Sequence, residues 1–195
     1  MESADALEGI FDNFLTGPQL FANRDVLRND YIPSTLPHRA EHIQRLGAIL
    51  APALSGSKIS NLFVYGKTGT GKTIVAKFVL ERLKKKAEQV GAPVRISYVN
   101  CRMAGSNYRV LADLCRCVAV EIPFTGLALG EVIDRFKNAL NADRMALIVV
   151  LDEIDALVKR RQDDSLLYEL TRINEELTQS WIGIVGVSND LHFKE

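Results

Sequence analysis

The chain has 195 residues, and several things are missing from it. No basic-then-apolar leader opens the N-terminus, and no apolar run approaches the ~18 residues that span a bilayer. The expectation is an intracellular protein without a membrane partner. There is no charge bias, with 24 Lys and Arg against 24 Asp and Glu. A domain that wraps DNA by charge alone is visibly basic, so any DNA contact has to be local or shared with another domain. Cysteine is sparse and odd: Cys101, Cys115 and Cys117. No second pair or histidine cluster joins the C-x-C to complete a zinc site, which leaves small buried or half-buried thiols in a reducing compartment. Internal repeats and low-complexity tracts are absent as well. What remains is 47% hydrophobic and 25% charged, enough for one domain with a core and an added arm. We place the arm at 1–20 and the core at 21–195.

Leu7, Ile10, Phe11 and Phe14 recur at helical spacing, and Gly17-Pro18 breaks the pattern. Asp30 to Arg39, DYIPSTLPHR, carries two prolines and reads as extended and turn-rich. From His38 to Leu50, Ile43, Leu46, Ile49 and Leu50 share one helical face. Strand and helix then alternate. Ile59 to Tyr65, Val94 to Val99, Ala146 to Leu151 and Ile182 to Val187 read as strands. Helices are expected from Lys72 to about Gln89, Asn107 to Val120, Gly130 to Leu140 and Asp164 to Thr178, with a turn at Pro123 to Gly126. Apolar strands separated by helices argue for a three-layer α/β fold with a mostly parallel sheet and right-handed crossovers.

Gly66, Gly71, Lys72 and Thr73 satisfy G-x-x-x-x-G-K-[ST] between a strand and a helix. Glycines let successive N–H groups turn inward around an anion, and the helix directs its N-terminal dipole at the same point. Lys72 then reaches the β- and γ-phosphates, and the Thr73 hydroxyl ligates Mg²⁺. Downstream, ALIVVLDEID puts Asp152 and Glu153 at the carboxyl end of a strand, the edge where open α/β sheets place ligands. One carboxylate holds a metal-bound water, and the next polarises the water that attacks the γ-phosphate. Asp155 is equally readable as a local residue. Asn189 ends the last strand in IVGVSND, where an amide can bond the γ-phosphate, although Asn-Asp pairs also close turns.

GKTGTGKT, VVLDEID and the strand-terminal Asn189 together resemble the AAA+ ATPase core: Walker A, Walker B and the polar residue called sensor 1. More narrowly, DYIPSTLPHR, SNLFVYGKTGTGKT, VNC, LDEID and VSND are similar to archaeal replication initiators of the origin recognition complex and helicase-loader type, from about residue 20 onward. The resemblance implies a P-loop NTPase core that binds ATP or ADP with Mg²⁺. It implies catalytic roles for Lys72, Asp152, Glu153 and Asn189, and metal ligation by Thr73 and Asp152. The nucleotide would be held by Gly66, Lys67, Thr68, Gly69, Thr70, Gly71, Lys72, Thr73 and Ile74. Tyr31, Ile32, Pro33, Pro37 and Arg39 would line the adenine pocket. The family's helical hairpin that contacts DNA corresponds to Ser106 to Leu140. Ser106, Asn107, Tyr108 and Arg109 are its candidate contacts, while Arg109 and Arg116 read equally as solvated helix residues.

The resemblance stops at sensor 1. The family's arginine finger, helical lid with a second sensor, winged helix and fifth core strand have no counterpart in these residues. The chain therefore reads as a truncated chain or gene fragment, with Ile59 to Tyr65 left as an apolar sheet edge. Expected partners are double-stranded origin DNA, mainly through the winged helix, the replicative helicase and neighbouring AAA+ subunits. Turnover should be slow without a finger, which is worth about 10³–10⁵ in rate where measured in GTPases. A clamp loader or other helicase loader is an alternative. So is a module that holds ADP without catalysis. A P-loop kinase would need an acceptor pocket, and Arg160 and Arg161 after Walker B offer charge but no such site.

Overall fold

In the computed structural model, residues 2–17, 21, 23–28, 31–161 and 164–191 are described, and side chains within helices from residue 7 to residue 159 and from 164 onward. Pro18, Asp30 and the side chains of Arg160 and Arg161, named above, lie outside the described residues. The chain divides into two units, 1–35 and 36–195. The break falls within the Tyr31 to Arg39 stretch.

The first unit holds helix α1, Glu2–Thr16. Leu7, Ile10, Phe11 and Phe14 are all exposed. The Arg24 guanidinium lies over the Phe14 ring at 4.9 Å from its centroid.

The second unit is built on four strands: β1 Leu62–Tyr65, β2 Val94–Asn100, β3 Ala146–Asp152 and β4 Trp181–Ser188. All pairings are parallel, in the order β1-β4-β3-β2. β3 and β4 are buried along their whole length, as central strands covered on both faces must be. β1 and β2 are the edges and are only partly buried.

The helices are α2 Ala40–Leu50, α3 Lys72–Val90, α4 Cys101–Ala104, α5 Asn107–Cys117, α6 Leu129–Ala142, α7 Asp155–Arg161 and α8 Ser165–Arg172. Leu147, Val149 and Leu151 of β3 join a core with Leu111, Leu114, Phe136 and Leu170 from α5, α6 and α8. Ile148 and Val150 alternate onto the other face, where α2 and α3 bury Leu50, Val79 and Leu83. A side chain buried in this way contributes about 1.5–3 kcal/mol relative to exposure. The result is the expected three-layer α/β sandwich.

Several boundaries differ from expectation. β1 begins at Leu62, not Ile59, because Asn61 Oδ1 accepts the Ile184 N–H at 3.0 Å in place of a ladder carbonyl. Ile59 is buried over Gly183 instead. α5 stops at Cys117, and Ala119 takes a left-handed φ of 59°. The expected helix to Thr178 is α8 followed by a 3-10 turn, Ile173–Glu175. α4 and α7 were not anticipated. No helix among the described residues is long and apolar enough to cross a membrane.

Candidate nucleotide site

The loop between β1 and α3 owes its shape to glycine. Gly69 and Gly71 have φ of 78° and 82°, in the left-handed region where a Cβ is costly. Gly71 caps α3 without a side-chain hydrogen bond, so the first-turn N–H groups of the helix face the loop. Lys72 Nζ donates to the carbonyls of Gly66 at 2.9 Å and Lys67 at 2.8 Å. Thr70 Oγ1 donates to Lys67 O at 2.9 Å. Thr68 lies between these residues in the exposed part of the loop, and Ile74 packs beside Gly71.

Arg39, at the start of α2, donates to the Thr70 carbonyl and so ties that helix to the loop. A cavity of about 630 Å³ opens here, lined by Arg39, His42, Leu46, Tyr65, Gly71 and Lys72 among others. Pro37 is exposed on the turn before Arg39. Tyr31, Ile32 and Pro33 are half-buried residues of the first unit.

Parallel pairing brings the second element beneath the loop. Thr73 Oγ1 lies 3.2 and 3.1 Å from the two carboxylate oxygens of Asp152. Asp152 is buried, and its Oδ1 also accepts the Glu153 N–H at 3.0 Å. Glu153 has a φ of 51°, a left-handed backbone that a non-glycine residue holds at a cost of about 1–3 kcal/mol. Its carboxylate accepts from Asn100 Nδ2 at 3.2 Å and pairs with Arg102 Nη1 at 3.4 Å.

Asp155 is not merely local. It accepts from Ser188 Oγ at 2.7 Å, linking the turn after β3 to the end of β4. Lys159 Nζ bridges to Asp190 at 2.5 Å. Asn189 sits between Ser188 and Asp190, exposed, two residues past the Asp152–Val187 register pair.

Sequence reasoning missed Tyr98, Asn100 and Arg102. Asn100 had a usable signal, since it ends a parallel strand at the same edge as Asp152. Tyr98 donates to Asp152 Oδ2, and burial followed by that bond raises its pKa well above the ordinary tyrosine value. Cys101 is buried, and its thiol is pushed up to about 12, by burial first and by Asp152 second.

The four candidate DNA contacts all have partners within the fold. Ser106 Oγ caps Arg109 N at 3.3 Å, and Asn107 Nδ2 donates to Ser165 Oγ at 3.4 Å. Tyr108 OH donates to Pro123 O at 2.7 Å, and Arg109 lies over the Phe124 ring at 4.7 Å.

A glycine-shaped phosphate loop, a lysine folded over it and a buried acid against its threonine define a P-loop nucleotide-binding protein. The sequence pattern of the AAA domain family matches residues 57–192, and the chain belongs to that family of nucleotide-binding ATPases. Over 97% of its length it is 47% identical to the ORC1-type DNA replication protein of Thermococcus onnurineus, covering 46% of that relative. Among solved structures it is similar to the Aeropyrum pernix ORC1 protein in complex with DNA. That match has 48% identity and a TM-score of 0.84, over 89% of this chain and 44% of the other. The Aeropyrum pernix ORC2 protein in ADPNP-ADP complexes matches at 29% identity and a TM-score of 0.76, over 89% and 46%. The chain thus spans about half the length of the curated relatives it matches.

Proposed function

We propose that this chain is the ATP-binding, slowly hydrolysing module of a DNA replication initiator that recognises origin DNA and helps load the helicase. The observation that carries the reading is the contact of Thr73 with Asp152 directly beneath the phosphate loop. The likeness to ORC1-type relatives supplies the biological context.

One carboxylate and one hydroxyl fit Mg²⁺, which takes few protein ligands and completes its shell with water and phosphate oxygens. Thr73 and Asp152 would hold it, and when bound it neutralises charge on the phosphate oxygens. Lys72 directs a cation at the β- and γ-phosphates. Glu153 takes a proton from a water as that oxygen bonds to the γ-phosphorus. The bond from γ-phosphorus to the bridging oxygen breaks, leaving ADP and inorganic phosphate. Asn189 would bond the γ-phosphate or the attacking water. Tyr31, Ile32, Pro33, Pro37 and Arg39 would hold the adenine.

A second reading, a latch that holds ADP without turnover, is favoured by Glu153. Its carboxylate is engaged by Asn100 and Arg102 rather than left free to meet a water. Retained ADP with no phosphate release would select the latch.

Ser106, Asn107, Tyr108 and Arg109 would touch the DNA backbone, and the partners would be double-stranded origin DNA, the replicative helicase and neighbouring AAA+ subunits inside the cell. The test is fluorescence anisotropy with origin-length duplex DNA, ATP and ADP, on this chain and on one of the relatives' full length. Binding by this chain credits the segment around Asn107, and binding only by the longer one places recognition outside it. A longer chain that binds no duplex with either nucleotide sinks the initiator reading.

A further inference from the structure

Tyr98 lies on β2, the strand at the margin of the sheet, opposite Val150 in the register. Tyr98 as a whole is 38% exposed. The hydroxyl nevertheless turns inward and donates to Asp152 Oδ2, an oxygen that also accepts from Thr73 at 3.1 Å. Lys77 Nζ sits 4.6 Å from the centroid of the Tyr98 ring. Lys77 follows Thr73 by one helical turn, so the two project from the same face of α3. A hydroxyl from α3 and a phenol from β2 therefore meet on a carboxylate from β3, and a cation from α3 covers the phenol ring.

The donors are divided between the two carboxylate oxygens. Oδ1 accepts from Glu153 N and Thr73, and Oδ2 accepts from Thr73 and Tyr98. The Thr73 oxygen is the one a divalent cation would claim. With the phenol removed, nothing from β2 fixes the rotation of the carboxyl plane. Hydrogen bonds to a ligating carboxylate orient it and tune its affinity for metal.

We propose that Tyr98 is a positioning residue for Asp152, setting how tightly the phosphate site holds a divalent cation. Lys77 keeps the ring in place by its cation–π contact. The proposal rests on the assignment of Thr73 and Asp152 as the Mg²⁺-holding pair.

The test is the affinity of the chain for a fluorescent N-methylanthraniloyl-ATP, followed through a MgCl₂ titration and repeated in EDTA, with melting temperatures recorded for each variant. Tyr98→Phe keeps the ring and loses only the hydroxyl. It should raise the Mg²⁺ concentration for half-saturation by about 10- to 100-fold, with affinity in EDTA unchanged. Lys77→Met should shift the same quantity in the same direction by less. An unchanged half-saturation in Tyr98→Phe, beside a wild type that responds to Mg²⁺, overturns the role of Tyr98 and leaves the nucleotide site standing. Equal losses in Mg²⁺ and in EDTA overturn it too, because they mark a general structural role. A wild type indifferent to Mg²⁺ removes both the positioning role and the metal pair. If Tyr98→Phe shows no melting transition, Lys77→Met decides, and an unshifted Mg²⁺ midpoint there counts against the proposal.

Discussion

Asn100 Nδ2 donates to Glu153 Oε1 at 3.2 Å, tying the last residue of the margin strand β2 to the acid that follows β3. The amide is held at its other end, where Oδ1 accepts the Met103 N–H at 3.0 Å as the N-cap of α4. One side chain thus joins the first turn of a helix to the expected catalytic base. A cap of this kind is worth about 0.5–2 kcal/mol, so the amide is a stiff support.

Glu153→Gln should abolish phosphate release while leaving nucleotide affinity near wild type, because the amide keeps the shape of the side chain and loses its basicity. Phosphate release by a coupled assay and binding of a fluorescent ATP separate the two. Turnover equal to wild type would remove Glu153 from the chemistry.

Lys72→Ala should weaken ATP binding by about 10- to 100-fold, since hydrogen bonds to a charged group contribute about 1.5–3 kcal/mol. In the structure the ammonium donates to Gly66 and Lys67 carbonyls. A melting temperature slightly below wild type without nucleotide is therefore expected as well. Calorimetric titration with ATP checks the first effect, and thermal unfolding the second.

Gly183→Ala should destabilise the fold by about 1–3 kcal/mol through overpacking. A Cβ at Gly183 would stand 2.3 Å from Ile59 Cγ1 and 2.4 Å from Cδ1. Ile59→Ala in the same chain should recover part of the loss. Urea unfolding of the single and double variants measures both. Additive losses would show that the clash is not the cause.

The Cys115 thiol is buried, and burial pushes it up to about 11. A thiol whose pKa is higher when folded adds stability that is whole below its unfolded value of about 8.5 and is lost as pH rises through the folded one. The stability difference between wild type and Cys115→Ala should therefore shrink between about pH 9 and 11. Urea midpoints across that range test it. Alkylation of Cys115 should also need unfolding.

The phosphate loop and Asp152 were legible because the chemistry demands those residue types at fixed spacing, and the expected Thr73–Asp152 meeting follows once the strands are parallel. The buried runs of β3 and β4 were equally plain. The residues that hold Glu153 and Asp152 were not, because Asn100, Arg102 and Tyr98 act across neighbouring strands, and which strand lies beside which is a property of topology rather than of any local pattern. α4, of four residues, and α7, of seven, are too short to show a helical period. Asn61 deceived in the opposite sense, since an apolar neighbourhood read as strand while its side chain replaced the backbone partner of Ile184.

β1 carries the phosphate loop and pairs with β4 alone; among the described residues no strand lies on its outer side. Four residues laddered on one side make the shortest cooperative unit of the sheet, and local opening costs least where protection is thinnest. Fraying of β1 and loosening of the grip on phosphate are then a single fluctuation. A nucleotide that binds only the closed form suppresses it by mass action. Amide exchange along Leu62–Tyr65 should slow with nucleotide concentration, so that this strip of backbone serves as the molecule's own gauge of occupancy.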